Sequence, residues 1–500
     1  IICMDWLMGT FPWLVEDLTW WQVLFFALDY TIKFIAIGWV PENRSPSAST
    51  AWLLLILLIP FIGLPLFLFL GSQQITGRRH EVQALAQELI AERTEHLPDV
   101  PDDAEIEDDV VNVFKLSRQL TGMPAIASAE KGLFTEFDAS IDRMIETIDA
   151  AQKSIHVQSY IFALDSSTEP FIQALERAHD RGLEVKVLVD PIGSWKYPGY
   201  YKLKKRLDQA KISWHPMLPV SLLKLTWRRL DLRNHRKLVV VDGDIVFMGS
   251  QNLIEPEYQK KKNHKIGRRW VDTWIELEGD IALAFDAIFA VDWTSELYKT
   301  PDATRDYSLH NTEVNDNYNV VQVLPSGPGF STEPNLRVFN NMIYQAHERI
   351  IAVSPYFVPD ESMLMALTSA AYGGIDVQLY VNEESDQFMV GHAQQSYYQA
   401  LLTAGVKIYR YPAPAVLHSK FMVIDDRMAM FGSSNLDMRS FGLNYEITLL
   451  SAAGSIVDKL IMLADEYRDK SFLLTQEEWN DRPLRQRYLD SVFRLTSALQ

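Results

Sequence analysis

A single cysteine in 500 residues, Cys3, excludes an intrachain disulfide and any cysteine-ligated metal cluster, and it is compatible with a cytoplasmic body. Positive charge is also in deficit, with 47 Lys and Arg against 65 Asp and Glu and a net charge of -18. That balance excludes a protein whose main task is to coat nucleic acid, because such a protein needs a basic surface to neutralise phosphates. A glycine-rich phosphate loop is missing as well. Gly327 and Gly329 in SGPGF match no such pattern and read as a turn. Long uncharged apolar runs are scarce and gather in the first seventy residues.

Ala51 to Leu70 reads AWLLLILLIPFIGLPLFLFL, about twenty residues without a charge, the length that crosses a bilayer core as helix. Pro60, Gly63 and Pro65 would break a soluble helix, but membrane helices tolerate them where neighbours satisfy the freed backbone groups. Trp20 to Val40 predicts a second span, with Trp20, Trp21 and Trp39 as interface anchors and with Asp29 and Lys33 four residues apart, paired on one helix face. No basic start precedes the first segment and the second is long, so a cleavable signal peptide is not expected. Arg78 and Arg79 follow the second span, whereas the connection PENRSPSAST holds one Arg and one Glu. The expected protein is therefore multi-pass in the cell membrane with its body on the cytoplasmic side.

The expected organisation is a membrane anchor over 1–72, a polar helix and acidic linker over 73–109, and two related halves over 110–310 and 311–500. In each half an amphipathic helix (137–151; 336–349) leads to an apolar run (154–162; 350–358), a second helix (169–181; 361–372) and a second strand (184–190; 376–381). That order predicts an α/β fold. The halves agree most closely at HRKLVVVDGDIVFMGSQN (235–252) and HSKFMVIDDRMAMFGSSN (418–435). His235, Lys237, Asp242, Gly249, Ser250 and Asn252 align without a gap on His418, Lys420, Asp425, Gly432, Ser433 and Asn435, which marks an internal duplication.

Residues two apart in an extended run face the same way, so each His shares a face with its Lys. Two such halves about a pseudo-twofold axis would bring both pairs into one cleft. A site of two imidazoles and two ammonium groups suits a phosphodiester: lysines and amides stabilise charge at phosphorus, one imidazole attacks, and the other moves the proton. Neither a metal nor another cofactor is expected in this scheme. Ser250, Asn252, Ser433 and Asn435 are the candidates for binding phosphate and shaping the site. Asp272 in WVDTWIEL and Glu446 in NYEITLL are the candidate carboxylates that orient the histidines, each downstream of its own motif. Asp242 and Asp425 complete the candidate catalytic set, although their strand-end positions suit turn and packing roles better. Basic runs at 202–206, 224–237 and 260–269 surround the first motif and suit an anionic ligand or an anionic membrane lipid surface. His156, His215, His264, His347 and His392 are expected to be surface or satisfied polar residues.

These residues resemble the phospholipase D superfamily, whose members carry two H-x-K-x4-D-x6-G-S-x-N motifs; both motifs here fit, and the resemblance covers roughly 110–490. With the two apolar segments, YIFALD (160–165), DPIGS (190–194), VLPSGPG (323–329), SPYFVPD (354–360) and SNLDMRSFGLNYE (434–446), the chain is similar to the bacterial cardiolipin synthase family. That resemblance implies two pseudo-symmetric phospholipase D-like α/β/α halves behind two transmembrane helices. It implies that one phosphatidylglycerol gives its phosphatidyl group to a histidine, and that a second supplies the accepting hydroxyl and glycerol is released. By analogy with the family His235 is the nucleophile and His418 the acid and base; the near-equivalence of the motifs leaves the reverse open. The basic run KKKNHKIGRR before Asp272 departs from the pattern and makes that residue's role the less secure. The same half-reaction would serve a phospholipase D hydrolase or a phosphatidylserine synthase. A nuclease fits the anchor and the net acidity less well, so nucleic acid is not an expected partner, and assembly as a homo-oligomer is left open.

Overall fold

The structure, a computed structural model, describes residues 19–42, 46–71, 78–219, 231–297, 309, 318–330, 332–495 and 497. Lys224 of the second basic run, the expected division at 310/311 and the start of the polar helix at 73–77 lie outside the described residues. The chain divides into two compact units, Ile1–Gln73 and Gln74–Gln500.

In the first unit Trp20–Trp39 forms one helix of 20 residues, the one among the described residues that is long and apolar enough to cross a membrane. Asp29 and Lys33 pair within it at 2.8 Å. In place of the single helix expected over 51–70, the chain forms Pro46–Leu58, then Pro60–Leu66, then a π-helical turn Phe67–Gly71. The break falls at Ile59, whose φ of -138° and ψ of 70° are not helical. Pro60 explains it: the ring crowds the preceding residue out of the helical region and supplies no N–H to continue the ladder.

Among the described residues the second unit is built on a main sheet of 16 strands. In the first half the order runs from Ser213–Pro216 through Glu184–Val189, Ser154–Ser159, Leu238–Val241, Ile245–Gly249 and Trp274–Glu278 to Ile126–Phe134. The second half repeats it from Lys407–Tyr411 through Asp376–Asn382, Arg349–Val353, Phe421–Ile424, Met428–Gly432 and Asn444–Ala452 to Tyr318–Ser326. The two last-named strands pair antiparallel, Ile126 opposite Val321, so the halves join edge to edge about a pseudo-twofold axis.

Helices cover both faces because the central strands are apolar on both sides, as buried α/β sheets are. Asp280–Leu297 and Ser455–Lys470, one from each half, lie on the shared face. There Leu238, Val240 and Ile275 join Val353, Phe421 and Ile447 in one core. On the other face Phe137–Ala150 and Glu169–Asp180 cover the first half, and Pro334–Tyr344 and Glu361–Tyr372 the second. The polar helix Arg78–Thr94 belongs to this unit and packs on Asp280–Leu297. Its Arg79 is buried, hydrogen-bonded to Tyr445 at 3.0 Å and paired with Asp292 and Glu296. Past the acidic stretch, Asp108–Thr121 buries Val110, Val113 and Phe114 in the second-half core.

Candidate active site

Each motif begins just after a two-residue strand that pairs with a strand of the other half. Arg233–Asn234 runs parallel to Asn444–Tyr445, and Val416–Leu417 runs parallel to Trp270–Val271. The pairing continues into the motifs, because the His235 amide donates to the Tyr445 carbonyl at 2.8 Å and the His418 amide to the Val271 carbonyl at 2.8 Å. The residues that follow on the partner strands are Glu446 and Asp272. His235 Nδ1 therefore lies 2.9 and 3.0 Å from the Glu446 oxygens, and His418 Nδ1 lies 2.6 Å from Asp272 Oδ1. Both carboxylates named from the sequence reach a histidine, but each serves the motif of the other half.

Ser250 and Ser433 hold those carboxylates: Ser250 Oγ donates to Asp272 Oδ1 and Ser433 Oγ to Glu446 Oε2, both at 2.6 Å. The glycine before each serine permits this approach. A Cβ on Gly249 would stand 2.1 Å from the Thr273 carbonyl oxygen, and one on Gly432 would stand 2.4 Å from that of Ile447. Lys237 Nζ donates to the His235 carbonyl at 2.7 Å and Lys420 Nζ to that of His418. Asn252 donates to the Tyr258 hydroxyl at 2.8 Å and accepts from the Ile161 amide at 3.2 Å. Asn435 Oδ1 is buried and has no hydrogen-bond partner among the described residues.

Burial dominates the electrostatics. It pushes both imidazoles down to about 4, against the pull of Glu446 on His235 and of Asp272 on His418. At neutral pH each ring is uncharged, with Nδ1–H donating to the ionised carboxylate and the Nε2 lone pair free of that bond. Burial also lowers Lys237 to about 8 and Lys420 to about 7. It would raise Asp272 and Glu446, but His418 with Lys420 and Ser250, and His235 with Lys237 and Ser433, hold both below their usual range. Lys420 bears on His235 and Lys237 on His418, so the two His-Lys pairs lie close enough to act on each other's charge.

Asp242 and Asp425 make their hydrogen bonds elsewhere. Asp242 accepts from the amides of Gln152, Lys153 and Ser154 at 2.6 to 2.9 Å, and Asp425 from those of His347, Glu348 and Arg349 at 2.6 to 2.8 Å. Both sit at hairpin turns with positive φ, 57° and 50°, where Asp is among the few side chains tolerated. Their place in the candidate catalytic set is corrected accordingly: they tie the hairpin of each motif to the start of a neighbouring strand. Ser250 and Ser433 likewise spend their hydroxyl protons on carboxylates.

Sequence reasoning missed the layer behind the histidines. Tyr160 meets the His235 ring edge-on with centroids 5.0 Å apart. Arg236, between the two motif residues, turns away to Asp292 at 2.6 Å, which also accepts from Gln158 at 2.8 Å. Asp190 caps Ile192 and Gly193 and accepts from the Asn234 amide at 2.9 Å, which fixes the strand that leads into His235. The motif flagged Arg236 only as its variable position, and no spacing points to Asp292. Gly327, expected as a turn, has φ of 139° and lies against Tyr445.

The family description "Cardiolipin synthase, PLD-like domain" matches residues 144–293 and 339–466, and "Phospholipase_D-nuclease N-terminal" matches 31–72. Cardiolipin synthase A of Edwardsiella ictaluri (strain 93-146) is 30% identical over 477 residues, covering 94% of this chain and 96% of that protein. Cardiolipin synthase A of Yersinia pseudotuberculosis serotype O:1b (strain IP 31758) is 31% identical over 466 residues, covering 92% and 94%. Among solved structures, the phosphatidylserine synthase of Haemophilus influenzae Rd KW20 shares the fold with a TM-score of 0.58 at 16% identity, over 77% of this chain and 99% of that one.

Proposed function

The chain belongs to the cardiolipin synthase, PLD-like family, and is thus a phosphatidyltransferase of the phospholipase D superfamily; from that premise we propose that it joins two phosphatidylglycerols into cardiolipin and glycerol through a phosphohistidine. The observation that carries this reading is the reciprocal pairing of His235 with Glu446 and of His418 with Asp272.

His418 Nε2 takes up a proton from solvent as the anionic diester enters the site; His235 Nε2 attacks the phosphorus of the first phosphatidylglycerol, the P–O bond to the head-group glycerol breaks, and His418 gives that proton to the departing oxygen. The phosphatidyl group is then bonded to His235, and glycerol leaves. His418, now neutral, takes the proton of a head-group hydroxyl on the second phosphatidylglycerol; that oxygen attacks phosphorus and the P–N bond breaks. Cardiolipin departs with both histidines restored. Lys237 and Lys420 hold the non-bridging oxygens and stabilise the charge that builds as phosphorus becomes five-coordinate. Glu446 keeps the His235 proton on Nδ1, and Asp272 supports the imidazolium of His418. Ser250 and Ser433 hold the two carboxylates, and Asn252 and Asn435 line the site.

The same reading takes the protein as multi-pass in the cell membrane with its catalytic body on the cytoplasmic side. The apolar helix Trp20–Trp39 and the basic pair Arg78 and Arg79 support it. Purified full-length protein given labelled phosphatidylglycerol as its sole lipid should form cardiolipin and glycerol in equal amounts, and an acid quench during turnover should trap phosphate on histidine. Phosphatidic acid without cardiolipin would refute the transferase reading; turnover with no trapped phosphate would refute the covalent step.

A further inference from the structure

Three segments lie close to one another beside the catalytic residues, each with exposed apolar side chains; two carry basic neighbours and the third carries Glu383, Glu384 and Asp386. The loop after the strand Glu184–Val189 carries Trp195, 59% exposed. After Asp376–Asn382, the equivalent strand of the other half, the helix Phe388–Ala404 opens with Phe388 at 65% exposure and Met389 at 47%. Between them lies 260–269, the basic run that departs from the family pattern, with Ile266 at 40% exposure and the exposed side chains of Lys260, Lys261 and Lys262.

Specific contacts join the three. Gly199 N donates to Gln259 Oε1 at 3.1 Å, which ties the first segment to the residue just before the basic run. Arg268 ties that run to the other half through Glu384 at 3.2 Å and the Pro414 carbonyl at 3.2 Å. Lys196, whose ammonium is lowered by burial and by Lys260 and raised by Asp386, senses all three segments. The rim borders the catalytic groups directly, because Tyr258, two residues before the basic run, receives the Asn252 hydrogen bond and Trp270–Val271, just after it, leads to Asp272.

We propose that this rim of Trp195, Ile266, Phe388 and Met389, with Lys260 to Lys262, docks the mouth of the site onto an anionic phospholipid surface. The inference rests on the proposed lipid substrate and adds which surface meets the bilayer. Exposed aromatic and aliphatic side chains ringed by lysine are the composition that lies at a headgroup boundary, where apolar area enters the acyl edge and lysine meets lipid phosphate. A second copy of this chain is the poorer occupant by charge alone, since a net charge of -18 would have to be matched by local basic patches on both copies. On a bilayer the rim would give a lipid head group a short path to His235 and His418 without leaving water-excluded surroundings.

The test uses the full chain in vesicles, with Cys3→Ser and one new cysteine carrying an environment-sensitive fluorophore at Trp195→Cys, Phe388→Cys or the control Tyr372→Cys. Tyr372 is 68% exposed but precedes the strand Asp376–Asn382, at the sheet edge opposite to Phe388. In vesicles containing phosphatidylglycerol the labels at 195 and 388 should shift to the blue and be quenched by brominated acyl chains, while the label at 372 stays aqueous. Lys260→Glu, Lys261→Glu and Lys262→Glu together should abolish that quenching. They should also raise the apparent KM for bilayer phosphatidylglycerol about tenfold or more and leave kcat on a monomeric short-chain phosphatidylglycerol unchanged.

Labels at 195 and 388 that stay aqueous would overturn the proposal. So would a blue shift without lipid quenching, which would mark a protein contact, and equal quenching in pure phosphatidylcholine would overturn the anionic requirement. The quenching readout does not depend on which product forms, so failure of the docking surface and failure of the synthase reading remain distinguishable.

Discussion

Replacing Glu446 with Gln isolates the orienting step. In the wild-type site Ser433 donates to Oε2 at 2.6 Å, while both oxygens lie within 3.0 Å of His235 Nδ1, which must therefore carry the proton. A glutamine keeps the shape but offers one acceptor and one donor. Ser433 still needs an acceptor, so the amide oxygen turns to it and the NH2 group faces Nδ1. That inverts the tautomer: the proton moves to Nε2, and the atom that should attack phosphorus has no lone pair. In a comparable His-carboxylate pair the wrong tautomer costs about 10^4 in kcat, so a fall of about 10^3 to 10^4 is expected here. KM should change little, because Lys237 and Lys420 are untouched. Glu446→Asp, which withdraws the carboxylate by roughly one bond length, should lose about a hundredfold. The assay is a single-turnover quench that follows phosphohistidine, with thermal melting as the check on folding. Folded Glu446→Gln protein that traps phosphohistidine within about tenfold of the wild-type rate would refute the tautomer argument.

Asp272→Asn should cut turnover of phosphatidylglycerol about a thousandfold by weakening the acid, yet recover most of the first step on a p-nitrophenyl phosphodiester, whose leaving group needs no proton; no such recovery would place the acid elsewhere. Binding of a non-reacting phosphonate diester should weaken as pH rises through about 7 and 8, because Lys420 and Lys237 are charged below those values and lose their charge above them. Calorimetry should find a loss of up to about tenfold per pH unit there, and a flat affinity from pH 6 to 9 would contradict the assignment. Asp425→Ala strands three backbone amides and should destabilise the fold by about 2 to 4 kcal/mol, read by denaturant unfolding, while folded enzyme keeps kcat within about tenfold. A thousandfold loss in folded protein would return Asp425 to the catalytic set.

Much of the fold and site was legible along the chain, because period and repeat are local properties. Residues two apart in the apolar runs, Gly and Asp at the turns, and the gapless match of 235–252 with 418–435 all announce paired hairpins in a duplicated α/β body. The membrane expectation was legible in composition but not in shape. Twenty uncharged residues at 51–70 satisfied the length rule, and the restriction that Pro60 places on Ile59 then broke the helix. A fixed place in a motif marks a residue the hairpin needs as readily as one the chemistry needs, and the strand-end positions of Asp242 and Asp425 already suited turn and packing roles.

The sequence by itself determined which groups are available: two imidazoles, two ammonium groups and two carboxylates in apolar strands. Only the tertiary structure decided how they pair. His235 and Glu446 are 211 positions apart, and His418 and Asp272 are 146 apart. At such separations hydrogen-bond partners are set by strand register across the pseudo-twofold, and nothing in the chain's own spacing encodes it. Edge-to-edge joining at Ile126–Phe134 and Tyr318–Ser326 brings the two halves together, and the parallel two-residue strands then hand each histidine to the opposite carboxylate.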